Sequence, residues 1–175
     1  ERLASALLKL PRRGQPLDAG ARMTTTTELV CQGLAAILDE GQPADRVLDR
    51  LLRRHRELSS ADRADVARRV LGITCLHRRL DHRLDCACPR WRASPHAFRV
   101  AAYVLLEEGR GLPDAAQSSG RPAEELARLE EPACWPEDPL ASLAVRHSLP
   151  DWLAARLVED FGPDAEALAR SVNQP

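Results

Sequence analysis

Four places in the sequence carry residue types that could do chemistry. His82, Cys86 and Cys88 lie close together, and an imidazole with two thiolates is a zinc-ligand set. Structural zinc pairs sit two to four residues apart and need a second pair, so the single Cys86-Ala-Cys88 spacing does not predict a metal site. Cys134 stands between Pro132 and Pro136 among acidic residues, a setting that raises a thiol pKa, so a packing role is expected for it. His147-Ser148 could begin hydrolase chemistry, but no oriented base accompanies the pair. Ser148 precedes Pro150 where a helix N-cap is needed, and capping is its expected role. Gly109-Arg110-Gly111 is followed by Leu-Pro-Asp and preceded by a helical pattern, so it reads as a loop and not as a phosphate cradle. No catalytic residue, metal or cofactor is expected in this chain.

What remains is charge. Every basic residue except Lys9 is arginine, and the net charge of −1 conceals an uneven distribution. Residues 43–83 hold 11 arginines against 6 acidic residues, a net +5, whereas 107–140 hold 3 arginines against 9 acidic residues, a net −6. A guanidinium presents a planar fork of donors suited to phosphate oxygens, so the basic stretch is either a nucleic-acid footprint or a solvated helical surface.

The elements that must carry these arginines are helices. From Thr27 to Glu40, Val30, Leu34, Ile37 and Leu38 recur at helical spacing, and Gly41 closes the run. Pro43 opens a second helix with Val47, Leu48, Leu51 and Leu52 on one stripe and its arginines on the remainder. Ser59 with Asp62 resembles a capping box, and Val66, Val70, Ile73, His77, Leu80 and Leu84 then predict the longest helix, with His77 on its apolar stripe. Cys86 to Pro95 reads as a loop, Phe98 to Leu106 as a fourth helix ending near Gly109, and 110–122 as a second loop with at most one helical turn. Pro122 to Glu131 is a short acidic helix, and Pro132, Pro136 and Pro139 mark the best candidate boundary. Three short helices follow, over Leu140–His147, Pro150–Phe161 and Pro163–Val172.

Composition agrees with an all-α chain. Apolar residues make up 44% and aromatic residues 3%, so a core would be mainly Leu, Val, Ile and Ala, which suits helices better than sheets. No apolar run approaches the roughly 18 residues of a membrane span, so a soluble protein with no membrane partner is expected. Five cysteines, an odd number, with no secretory signal before them, point to a reducing interior and not to a disulfide scaffold. Residues 1–26 read as a disordered leader. The chain starts at Glu1 and its one methionine is Met23, so either the true start is missing or Met23 is that start. The arginines and apolar stretch before residue 22 also suit an organelle transit segment.

Two segments resemble the RsmB/NOP/Sun family of RNA cytosine-C5 methyltransferases, whose bacterial members begin with a helical domain similar to the antitermination factor NusB. The first runs from Ala44-Asp45 to Leu52, through Leu58-Ser59-Ser60-Ala61-Asp62-Arg63, to Gly72 and Leu80-Asp81, and is similar to the family's Leu-Ser-x-x-Asp-Arg, Gly-x-x-Arg and Leu-Asp pattern. Phe98-Arg99-Val100-Ala101-Ala102-Tyr103 resembles the Leu-Arg-x-Gly-x-Tyr helix that follows, with Ala101 in place of glycine. The second segment, Leu143 to Leu153 with Ser148-Leu149-Pro150-Asp151-Trp152-Leu153, is similar to the family's Ser-x-Pro-x-Trp-Leu passage, and Asn173-Gln174-Pro175 to its proline-rich junction before the catalytic domain. Cys75 and Leu76 stand where relatives often carry Arg and Trp.

The resemblance implies a NusB-like bundle over 27–131 and a helical linker over 132–175 leading to a catalytic domain in cis that lies outside this chain. It implies S-adenosylmethionine as the cofactor of the full-length enzyme and ribosomal RNA as its partner, with Arg46, Arg50, Arg53, Arg54, Arg63, Arg68 and Arg69 as the expected RNA-binding set. The family's glycine-rich cofactor loop and two catalytic cysteines have no counterpart among these residues, so none of the five cysteines takes those roles. The expected location is the cytoplasm, or an organelle in a eukaryote. The alternative is a free-standing NusB-like RNA-binding module in transcription antitermination; a third reading has the arginines solvated while the domain packs on its catalytic partner.

Overall fold

Thr25 starts the first helix with a reciprocal cap: its hydroxyl accepts from the Glu28 N–H at 3.2 Å and its own N–H donates to the Glu28 carboxylate at 2.8 Å. The computed structural model describes residues 25–172, and the expected leader falls almost wholly outside them. The helix begins earlier than the apolar pattern indicated, because the Thr25-Thr-Thr-Glu28 box sets the boundary. Helix α1 (Thr26–Leu34) runs directly into a π-helical turn over Ala35–Asp39, and Gly41, at φ +68°, turns the chain away.

Helix α2 (Ala44–Arg54) follows, then α3 (Ser60–Ala87), at 28 residues roughly 42 Å long and the longest helix among the described residues. Ser59 caps α3 by accepting from the Asp62 N–H. Its buried stripe is Val66, Val70, Ile73, Leu76, Leu80 and Leu84. Leu76 holds the place expected of His77, which is exposed, with its Nδ1 2.8 Å from the Thr74 carbonyl. Both registers satisfy helical spacing, and the observed one buries a leucine and leaves the imidazole in water.

The expected loop from Cys86 is also shorter than the sequence indicated. Helix α3 continues through Ala87 because the Cys88 N–H still reaches the Leu84 carbonyl at 2.8 Å, and the chain breaks only there. A 3-10 turn over Trp91–Ala93 leads into α4 (Pro95–Leu106). Residues 110–122, expected to be a loop, contain the two-turn helix α5 (Leu112–Ser119). Pro113 near its start and Gly120 at φ +65° at its end are helix signals, and its small apolar content concealed them. Helix α6 (Ala123–Leu126) and a 3-10 turn (Ala127–Glu130) complete the first assembly.

Residues from α1, α3, α4 and α6 share one core that includes Leu29, Leu34, Ile73, Leu84, Phe98 and Leu126, all essentially inaccessible. The α3–α4 crossing is close because residue 72 is glycine: a Cβ there would lie 2.3 Å from the Tyr103 hydroxyl oxygen and 2.6 Å from its ring. A second, smaller core, built from Leu143, Ala144, Leu149, Ala154, Leu157, Ala165 and Ala169, joins α7 (Pro139–Arg146), α8 (Asp151–Phe161) and α9 (Ala165–Val172).

Both flanks of the proline-rich stretch are held to α3 by polar contacts. Arg83, itself buried, donates to the Leu129 and Glu131 carbonyls at 2.6 and 2.8 Å. Arg78 donates to the Leu149 carbonyl and the Asp151 carboxylate at 2.7 and 2.6 Å. Ser148, expected to cap α8, does not; at φ +51° its Oγ turns back to accept from the Arg79 N–H at 2.9 Å, and Pro150 starts α8 with no side-chain cap. Among the described residues there is no strand, and no helix is long and apolar enough to cross a membrane.

Candidate nucleic-acid interface

Helix α2 is short; its buried residues are Val47 and Leu51, and Leu51, with Leu48 and Leu52, packs on the first core and fixes its rotation. At 3.6 residues per turn, Arg46, Arg50, Arg53 and Arg54 then fall within an arc of about 100°, and from Arg46 to Arg54 the row extends for about 12 Å. All four are exposed. Arg53 pairs with Asp49 at 2.7 Å in an exposed i,i+4 bridge, which contributes a few tenths of a kcal/mol and yields readily to a stronger anion. Arg50 donates to the Gln42 side chain, whose amide in turn donates to Glu40. Among the described residues Arg46, Arg54 and the nearby Arg56 have no hydrogen-bond or ion-pair partner. Arg56, which the sequence pattern did not single out, continues the basic surface beyond the end of α2.

The other three arginines expected at the interface are engaged by groups of the fold, Arg69 buried, Arg63 half-buried and Arg68 exposed. Arg63 donates from Nη1 to the Leu52 and His55 carbonyls at 2.8 and 3.2 Å, tying the end of α2 to the start of α3. Arg69 is buried and forms a two-point contact with Glu108, Nε to Oε1 at 3.1 Å and Nη2 to Oε2 at 3.3 Å. Arg68 donates to the same carboxylate at 2.6 Å and also to Asp65. Burial pushes the Glu108 carboxyl up, but the Arg68 and Arg69 guanidiniums outweigh it and hold the group below its ordinary range. Sequence spacing cannot separate Arg68 and Arg69 from the α2 row, because Glu108 is some 40 positions away.

Alongside the arginine row lies a groove of about 310 Å³ between α2 and the π-helical turn, into which Gln32, Glu40, Gln42, Arg50 and Arg54 project polar groups over Ala36, Val47 and Leu51. The two glutamines were not legible as site residues. They come together because the π turn, which leaves no mark in the apolar periodicity, carries Glu40 and Gln42 over to α2.

Arg99 holds Asp81 by a bidentate fork at 2.7 and 2.8 Å and lies over the Trp91 ring, Trp91 Nε1 donates to Asp85, and Gly72 admits Tyr103.

The thiols and imidazoles divide differently from their sequence spacing. Cys88 is buried, with its thiol 3.2 Å from the Glu125 carbonyl, whereas Cys86 is exposed. Cys134, expected to pack, is exposed, because the prolines around it keep the segment on the surface. His82 Nε2 lies 2.6 Å from the Cys134 carbonyl, and the His82 ring stacks on Trp135 with centroids 5.7 Å apart. Among the described residues no group of three or more His, Cys, Asp or Glu is arranged to hold a metal ion. Gly109 and Gly111 lie in the turn that joins α4 to α5. No family model matches the sequence, and no curated protein or solved structure is significantly similar to it.

Proposed function

We propose that this chain is an RNA-binding helical domain of the NusB-like kind, serving an S-adenosylmethionine-dependent cytosine-C5 methyltransferase that acts on ribosomal RNA. The observation that carries the RNA-binding part is the row Arg46, Arg50, Arg53 and Arg54 on one exposed arc of α2, weakly paired or unpaired among the described residues while Arg63, Arg68 and Arg69 are committed to the fold. An exposed row of this kind neutralises phosphates without any rearrangement of the core. The assignment to a methyltransferase rests on the resemblance of 44–81, 98–103 and 143–153 to the RsmB/NOP/Sun family. In that assignment the domain positions RNA for a catalytic domain in cis, and the reacting groups belong to that domain.

The test is salt-dependent binding of the chain to a structured ribosomal RNA fragment. Four phosphate contacts give a slope of log K against log salt of about −3, so affinity should fall about 50- to 150-fold between 50 and 200 mM salt. The variant with Arg46, Arg50, Arg53 and Arg54 all changed to Ala should bind weakly with most of that slope gone and keep its melting temperature. Equal affinity and slope for the two proteins would overturn the proposal.

A further inference from the structure

Cys86 and Cys134 are 48 positions apart, on the last turn of α3 and in the proline-rich connector, yet they meet at the surface. The Cys86 Sγ lies 3.8 Å from the backbone carbonyl oxygen of Cys134 and 3.9 Å from His82 Nε2. His82 anchors the connector here by its contact with the Cys134 carbonyl and its stacking on Trp135. Both thiols are exposed and therefore open to a small oxidant.

No other cysteine competes for this pairing. Cys75 is eleven residues back along the same helix, roughly 16 Å away, far beyond the 4.4–6.8 Å between Cα atoms that a disulfide spans. Cys88 is buried, with its thiol turned to the Glu125 carbonyl, and Cys31 is half-buried on α1.

We propose that Cys86 and Cys134 form an oxidative modification site, joined as a reversible disulfide by a hydroperoxide. One thiolate sulfur attacks the peroxide oxygen, the O–O bond breaks, and the alcohol or water leaves, giving a sulfenic acid. The second thiol attacks that sulfur, the S–O bond breaks, and water leaves. The two sulfurs give up two electrons, which reduce the peroxide. Burial and the neighbouring thiol push the Cys86 pKa up, which lowers its thiolate fraction and slows the first step. The product staples the connector to α3, fixing Trp135 and the segment between the two cores.

The experiment treats the reduced full chain with tert-butyl hydroperoxide and maps its peptides without reduction. The expected result is a cross-linked peptide joining Cys86 to Cys134, with free thiols falling from five to three and restored by dithiothreitol. Because the cross-link closes a loop of about 50 residues, the oxidised form should melt about 10 °C higher. Cys86→Ser and Cys134→Ser, both at exposed positions, should each abolish the cross-link and the rise in melting temperature, while Cys75→Ser leaves them intact. Sulfinic acid at either position, a different pairing, or covalent dimers as the main product would each overturn the proposal.

Discussion

Replacing Arg69 with alanine separates the two groups of arginines most sharply. Its side chain is 7% exposed and that of Glu108 9%, so the pair lies where water does little to screen it. Removing one member of a buried ion pair leaves an uncompensated charge and costs about 3–5 kcal/mol; Arg68 stays within reach of Glu108 at 2.6 Å, so the expected loss is about 2–3 kcal/mol. With a urea m-value of about 2 kcal/mol/M for a domain of this size, the unfolding midpoint should drop by about 1 M. Arg54→Ala, on the exposed row, should stay within about 0.5 kcal/mol of the parent. Urea titrations followed by far-UV circular dichroism, run with and without 0.5 M salt, make the comparison. The Arg69 deficit should survive the added salt because a buried pair is screened far less than a surface one. The reasoning fails if Arg69→Ala unfolds at the parent midpoint and instead loses RNA affinity, since Arg69 would then be an interface residue.

Gly72→Ala tests the α3–α4 crossing by sign. Helix propensity alone favours alanine by about 1 kcal/mol, whereas a Cβ at 2.3 Å from the buried Tyr103 hydroxyl forces a shift that costs about 1–3 kcal/mol or more. A net loss of about 1–2 kcal/mol is expected, visible as a melting temperature several degrees lower, and a gain would contradict the packing described. Acid unfolding should report on Glu108. Its native pKa is below the ordinary 4.5, so its contribution is fully present above that value and is lost as pH falls through the lower native one. Glu108→Gln should therefore be less stable at pH 7 and show a shallower decline below pH 4.5; matching acid limbs in thermal melts would remove Glu108 from the account.

Local signals in the sequence were enough to place most of the helices. Pro43, Ser59, Gly41 and the prolines before α7 and α8 act within one turn of themselves, and the chain near them has no competing choice. Where local signals were equivocal, packing decided. Either Leu76 or His77 could follow Ile73 on a helical stripe, and contact with the core selected the leucine. Leu112–Ser119 holds few apolar residues, and it is helical because Ala115 reaches the common core.

The candidate site divides in the same way. The row Arg46, Arg50, Arg53 and Arg54 was legible because i, i+4, i+7 and i+8 spacing on one helix is a property of sequence alone, and so was the clustering of basic charge in 43–83. Only the tertiary structure could bury Arg69, engage Arg63 and Arg68 with groups of the fold, bring Gln42 beside Arg50, or bring Cys134 against Cys86. Each of these depends on a partner that chain folding carries in from another element, and periodicity along one helix holds no information about what will face it.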